Sequence, residues 1–405
     1  MDWNQAIDRT GTGSHKWDAL ARRLQHRARE IYPFSVADND LPMADALREG
    51  LVNHLQTAVL GYTGMTEAYR KAVVSWMNRR HDWTIDPAWI VTSPGVVTAL
   101  YRCVKAFTKP RDGIVIQTPV YPPFFSAITD SDRRVVMNPL MGSELNYAMD
   151  FEDLERKLAD PTTSMMILCS PHNPVGRVWR VDELRRVIEL CQRYEVILVS
   201  DEIHFDLVRP GYHHTVAASL PEAQGCPLIT LTAPSKTFNI AGLQCANIIV
   251  PDLRLRRRFI DEGTKDGSHG INALGLAACE IAYTTCEPWL DEFNALIDAN
   301  HQWLVDHLRT HCPQIGITPL EGTYLQWLDF RALNLSDRDL DRFLIEQAQL
   351  VLTPGIDFGP EGRGFMRLNL GCAPKVLHDG LQRLTTAVSN FSTPSSHNGQ
   401  YSVVL

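Results

Sequence analysis

What most constrains the fold of this chain is an alternation between residues 114 and 250. Short apolar, β-branched runs are each separated by stretches of helical period. Ile114-Val115-Ile116 leads to Pro119, and Met165 to Cys169 stops at Ser170-Pro171. Val196 to Val199 stops at Asp201, Leu228 to Leu231 leads to Pro234, and Ala246 to Val250 stops at Pro251. Helices are expected near 95–108, 122–130, 151–159, 181–194 and 253–262. A run with no polar alternation suits a strand buried on both faces, and helices between such strands make the crossovers that parallel pairing requires. The predicted class is α/β, with a mostly parallel central sheet flanked by helices.

On either side the pattern changes. Helical period runs from about Met43 to Leu60, breaks at Gly61-Tyr62-Thr63-Gly64, and resumes through Trp76. A long helical stretch from about Ala273 to Thr310 contains Glu287-Pro288, where a proline should interrupt it. After Pro313 come a strand near 323–328, a helix near 336–348 and a strand near 365–370. These predict a smaller α+β C-terminal domain. The expected organisation is an N-terminal segment, 1–45, joining the small domain; a large domain, 46–288; the small domain, 289–391; and a poorly ordered tail, 392–405.

Composition excludes several functions. With 39 basic and 47 acidic residues, the net charge of −8 argues against bulk binding to nucleic acid or an anionic membrane. The basic run Arg254 to Arg258 reads as a solvated helix face. No apolar run approaches the ~20 residues of a membrane span, and the polar start Met1-Asp2-Trp3-Asn4 predicts no secretory signal. The nine cysteines are irregularly spaced and form no C-x-x-C. Reduced thiols in a cytoplasmic protein are therefore expected, with no metal site.

In an open α/β sheet, ligands bind beyond the carboxyl ends of the strands, so the polar residues following each run matter most. Ser170-Pro171-His172-Asn173-Pro174-Val175-Gly176 follows one run, Asp201-Glu202-Ile203-His204 another, and Pro234-Ser235-Lys236 a third. Taken singly these are a turn, a helix cap and a solvated lysine. Together they place an amine, an acid and an amide at one sheet edge, the set that pyridoxal 5'-phosphate needs. Lys236 would join the cofactor aldehyde, Asp201 would keep the pyridine nitrogen protonated, and Asn173 would donate to the ring oxygen. Ser93-Pro94-Gly95-Val96-Val97 opens a helix whose free N–H groups suit the phosphate. Tyr121 would cover the ring and is counted with Lys236 and Asp201 as catalytic.

At these residues the chain resembles fold-type-I pyridoxal-phosphate enzymes, the aspartate aminotransferase superfamily. Within it the chain is most similar to the MalY/PatB branch of carbon–sulfur β-lyases. The stretches that carry this likeness are Arg9 to Asp18, Asp201-Glu202-Ile203-His204-Phe205-Asp206, Ser235 to Gln244, and Gly322 to Phe330. Aminotransferases usually carry Tyr where His204 stands, and a phosphate-clamping Arg where Gln244 stands. The branch usually reads Val-Ala-Asp-Met-Asp-Phe where this chain has Val36-Ala37-Asp38-Asn39-Asp40-Leu41. It also favours Ser-Pro or Ser-x where Ala233-Pro234 precedes Ser235.

The resemblance implies elimination of a thiol from cystathionine or a cysteine S-conjugate, giving pyruvate and ammonia. Lys236 would take the Cα proton. Arg367 would pair the substrate carboxylate, with Ala37, Asp38 and Asn173 beside it. Ser235 and His204 would contact the cofactor, and Tyr62 would reach the phosphate of a neighbouring subunit in a homodimer. An aminotransferase on the same scaffold, or a regulatory protein that keeps the fold, are the alternatives.

Overall fold

The computed structural model describes residues 1–18, 20, 31–143, 145–267 and 270–391. The expected tail 392–405 lies outside the described residues. A seven-stranded sheet occupies the middle of the chain. Its order is Ile90–Ser93, Ala246–Ile249, Leu228–Thr232, Ile197–Asp201, Thr163–Cys169, Gly113–Ile116, Arg134–Met137. All pairings are parallel except those of Ala246–Ile249, which runs antiparallel to both neighbours. The reversal brings the start of that strand to the edge where the others end, with Ala246 opposite Ser93 and Asn247 opposite Thr232.

The apolar runs are buried on both faces. Ile114 and Ile116 pack with Leu100, Val104 and Phe259, from the helices Val96–Phe107 and Leu253–Lys265. Val115 points the other way, to Leu154, Leu184 and Val187, from Phe151–Leu158 and Val181–Arg193. Successive strand residues alternate between two helix layers, which explains why neither sheet face needed polar residues. The caps are local. Asp252 accepts hydrogen bonds from the N–H groups of Arg254 and Leu255 at 2.7 and 2.8 Å, and Glu183 reaches back to Arg180 N at 2.8 Å. The helices Ala273–Thr285 and Glu287–His311 divide at the expected proline, which sits in the first turn of the second.

Two sheet members were not anticipated. Ile90–Ser93 and Arg134–Met137 are four-residue edge strands, and the latter is exposed at both ends. A short edge strand has neither the length nor the apolar density that marks a central one. A second sheet, antiparallel, has the order Gly316–Ile317, Leu325–Asp329, Phe365–Asn369, Thr353–Pro354. Tyr32–Pro33 pairs in parallel with Leu350–Val351, so the N-terminal segment is tied to the C-terminal part of the chain.

One buried carboxylate joins three elements. Asp206 accepts hydrogen bonds from Trp76 Nε1 at 3.1 Å and Thr237 Oγ1 at 2.7 Å, and pairs with His81 Nε2 at 2.8 Å. Trp76 and His81 lie on the helix Glu67–His81, while Thr237 follows Lys236 on the short helix Pro234–Thr237. Asp206→Ala leaves three buried donors without their acceptor. It is expected to cost about 3–5 kcal/mol in urea unfolding, with Asp206→Asn costing less. An alanine variant within about 0.5 kcal/mol of wild type would contradict this role.

Candidate active site

Five of the six strands that end at the common edge supply part of one cavity; the edge strand Arg134–Met137 does not. Gly95, Val96 and Val97 follow Ile90–Ser93, Tyr121 follows Gly113–Ile116, and Asn173 follows Thr163–Cys169. Asp201 ends its own strand with His204 just beyond, and Ser235 and Lys236 follow Leu228–Thr232. Ala37 closes the cavity from the N-terminal segment. Sequence reasoning did not assign Cys169, Ile203, Ala241 or Cys245 to the lining, nor Gln244 as a contact, yet all five line it. The signal for Gln244 and Cys245 was their place before Ala246–Ile249, but it is readable only once that strand is known to be reversed.

The first turn of the helix Val96–Phe107 begins at Gly95, whose φ of 84° is the left-handed conformation that glycine adopts without strain. The N–H groups of Val96 and Val97 have no earlier turn to bond. They form an anion site where they meet the cavity.

Lys236 is half-buried, with its side chain on the cavity wall. Nζ donates to the carbonyl of Ala37 at 2.7 Å, and Tyr324 Oη donates to the same oxygen at 2.8 Å. Burial, with the nearby Arg367 cation, pushes the amine down to about 8. Burial moves Asp201 the opposite way, up to about 7. Its carboxylate accepts one hydrogen bond among the described residues, from Ile203 N at 3.2 Å. A carboxylate so placed is short of a cation or donor, and a protonated pyridine nitrogen supplies both. Burial, then Lys236 and Arg367, keep the His204 imidazole neutral, and its Nδ1 is buried without a partner among the described residues.

Arg367 fixes the amide beside it. Nη1 donates to Asn173 Oδ1 at 3.1 Å, which leaves Asn173 Nδ2 as the end available to a ring oxygen. Nη2 donates to Ser35 O at 2.9 Å and Thr353 Oγ1 at 3.2 Å. Held on these neutral acceptors with no carboxylate, the guanidinium keeps its charge for a substrate anion. The residues thus fit pyridoxal phosphate, with an anion site, an acid, an amide donor, an aromatic plane and an amine around one cavity.

The segment carrying Ala37 is clamped by the motif at the N-terminus. Arg9 pairs with Asp38 at 2.9 Å and Asp40 at 3.1 Å, Lys16 with Asp40 at 2.6 Å, and Trp17 Nε1 donates to Asp40 at 3.0 Å. Asn239, three residues past Lys236, exchanges hydrogen bonds with the backbone of Asn39 at 2.9 and 3.0 Å. The Asp38 side chain therefore serves Arg9, and the cavity meets this stretch through Ala37. In the departing hexapeptide Asn39 offers its backbone here, a role that does not depend on its side chain. Three expected residues do not line the cavity: Asp38, which faces Arg9; Arg367, which stands behind Asn173; and Tyr62, which is fully exposed.

Residues 30–384 match the family model of aminotransferase class I and II, and the chain belongs to that family. It is 42% identical to cystathionine beta-lyase PatB of Bacillus subtilis (strain 168), over 96% of this chain and 100% of that protein. Identity to protein MalY of Escherichia coli (strain K12) is 33%, over 96% and 99%. The crystal structure of cystalysin from Treponema denticola, which contains pyridoxal 5'-phosphate, superposes with a TM-score of 0.94 at 42% identity, covering 96% of this chain and 99% of that one.

The raised Asp201 gives a stability signature. In the cofactor-free protein the folded state holds a proton up to pH about 7 that the unfolded chain releases near 4. Stability contributed by this group is present at low pH and is lost as pH rises between those values. Asp201→Asn should flatten the profile, so wild type should lose more unfolding free energy than the variant between pH 5 and 7.5 in urea titrations. Parallel profiles would contradict the assignment.

Proposed function

We propose that this chain binds pyridoxal 5'-phosphate at Lys236 and eliminates thiol from cystathionine or a cysteine S-conjugate. The other products are pyruvate and ammonia. The observation that carries the reading is the cavity itself: a half-buried amine with a buried acid and amide, completed by His204 and Gln244 rather than the tyrosine and arginine usual in aminotransferases. The similarity to PatB supports the same reading.

The bound cofactor supplies an electron sink that makes the Cα–H bond of an amino acid acidic. The rest falls to the chain. The N–H groups of Val96 and Val97 would hold the phosphate, and Tyr121 would cover the ring. Asp201 would accept the pyridine N–H, whose positive charge would offset the burial of the carboxylate. Arg367 takes the substrate carboxylate as a two-pronged donor and orients the Cα–H bond. Lys236 takes the Cα proton at Nζ. With its ordinary value lowered to about 8, the amine is far more often neutral near pH 8 than an exposed lysine. Departure of the β-sulfur as thiol completes the elimination.

Tyr62 is exposed at 113%, with Val59 at 89% and Leu60 at 62% beside it. This apolar tip supports a homodimer in which Tyr62 enters the partner's site. The seven-stranded and four-stranded sheets support a large domain over 46–288 and a small one over 289–391, with the N-terminal segment 1–45 joining the small domain through the pairing of Tyr32–Pro33 with Leu350–Val351. Among the described residues no helix is long and apolar enough to cross a membrane. All nine cysteines are buried and unpaired, which suits a reducing, cytoplasmic setting.

Purified protein is expected to be yellow, and Lys236→Ala should lose both the visible band and turnover. Pyruvate and thiol should appear from cystathionine or an S-alkyl cysteine with no keto-acid acceptor. Transamination of alanine or aspartate with 2-oxoglutarate should be at least ~100-fold slower, a barrier gap of about 2.7 kcal/mol. Comparable rates would place the chain with the aminotransferases. Tyr62→Phe should weaken cofactor affinity by about 1 kcal/mol, one hydrogen bond, in equilibrium titration. A fully active monomer in sedimentation would overturn the dimer.

A further inference from the structure

A second cavity, of about 820 Å³, shares no lining residue with the first. It lies beside the edge strand Ile90–Ser93 and the helix Leu253–Lys265, and three arginines line it: Arg70, Arg102 and Arg256. Arg102 is the notable one. It is only 3% exposed, and its Nε and Nη2 are buried with no hydrogen-bond partner among the described residues. The acids in its field are engaged elsewhere, Asp266 with Lys105 at 3.5 Å and Glu262 with Lys265 at 2.9 Å.

The guanidinium is nevertheless seated by its surroundings. It lies 5.0 Å from the Phe259 ring centroid and against Gly263, where an added Cβ would come within 2.5 Å of its Cζ. A glycine inside a helix costs about 1 kcal/mol relative to alanine, and here it makes room for this one group. The two companions bond only backbone carbonyls. Arg70 donates to Pro87 O at 2.9 Å, and Arg256 to Val250 O at 2.6 Å and Pro251 O at 3.0 Å. Asp86, also on the wall, accepts from Ala88 N at 2.8 Å. Among the described residues none of the three arginines has a carboxylate ion pair. Burying a guanidinium without a counter-charge is costly, and three guanidinium-bearing side chains on the wall of one cavity match an oxyanion.

We propose that this cavity binds a phosphate-class anion, either inorganic phosphate or the phosphate group of a small metabolite. The site is separate from that for the cofactor phosphate at the start of the same helix, Val96–Phe107. The test uses the cofactor-loaded protein, whose own phosphate site is filled. Inorganic phosphate and glycerol 3-phosphate are titrated by calorimetry and thermal unfolding against chloride at matched ionic strength. Wild type should bind at least one of them, at one per chain, and rise in Tm beyond the chloride control. Tighter binding of the ester identifies a phosphorylated metabolite; equal or weaker binding identifies free phosphate. Arg102→Met should weaken binding by about tenfold or more, while leaving Tm without anion equal or higher, because it removes an uncompensated charge. Arg256→Gln should weaken binding likewise and serves if the first variant does not fold. Absence of binding above chloride, or binding unchanged in the variants, would overturn the proposal.

Discussion

Everything around the site follows from desolvating the Lys236 amine with no carboxylate in hydrogen-bond contact. Among the described residues its one direct acceptor is the carbonyl of Ala37, which Tyr324 also holds. A neutral acceptor leaves the desolvation of the ammonium largely uncompensated, so the amine is driven toward its neutral form. An acid in contact would have raised it instead and removed the base. Two acids act on the amine from a distance, Asp38 and Asp201, and neither accepts a hydrogen bond from it: Asp38 is tied to Arg9, and Asp201 accepts from Ile203 N.

The scaffold's contribution is placement. Parallel strands bring their carboxyl ends to one edge, and the single reversed strand fills that edge from the other direction. Asn369 then binds the segment over the cavity to the second sheet, donating to Val36 O at 2.7 Å and Asp38 O at 2.6 Å. Arg367 lies two residues earlier on the same strand and reaches Asn173. The substrate-facing cation and the cofactor-facing amide are thereby set by one hydrogen bond between the two parts of the molecule.

Much of this was legible in the sequence because central parallel strands announce themselves. Thr163–Cys169, Ile197–Asp201 and Leu228–Thr232 are largely apolar and buried, and a polar residue beyond each of them reaches the cavity: Asn173, His204 and Lys236. The edge strands were not legible, since half-exposed four-residue segments have no periodicity to detect. Ala37 was singled out, but its use through a backbone carbonyl was not foreseeable, because any residue carries that group. The part played by Asp206 was hidden for another reason: its partners Trp76 and His81 lie more than a hundred residues away in sequence. Tyr62 shows the limit of a single chain, because a residue meant for a partner's site has nothing of its own to touch.

The most direct test of this account is the pH dependence of the reactivity of Lys236. Cofactor-free protein can be treated with an amine-reactive reagent over a range of pH, with modification of the Lys236 peptide followed by mass spectrometry and surface lysines as internal controls. The account predicts a midpoint near 8, well below the surface lysines. A midpoint at the ordinary lysine value of about 10.4 would show that the site does not hold a neutral amine, and would contradict the account at its foundation.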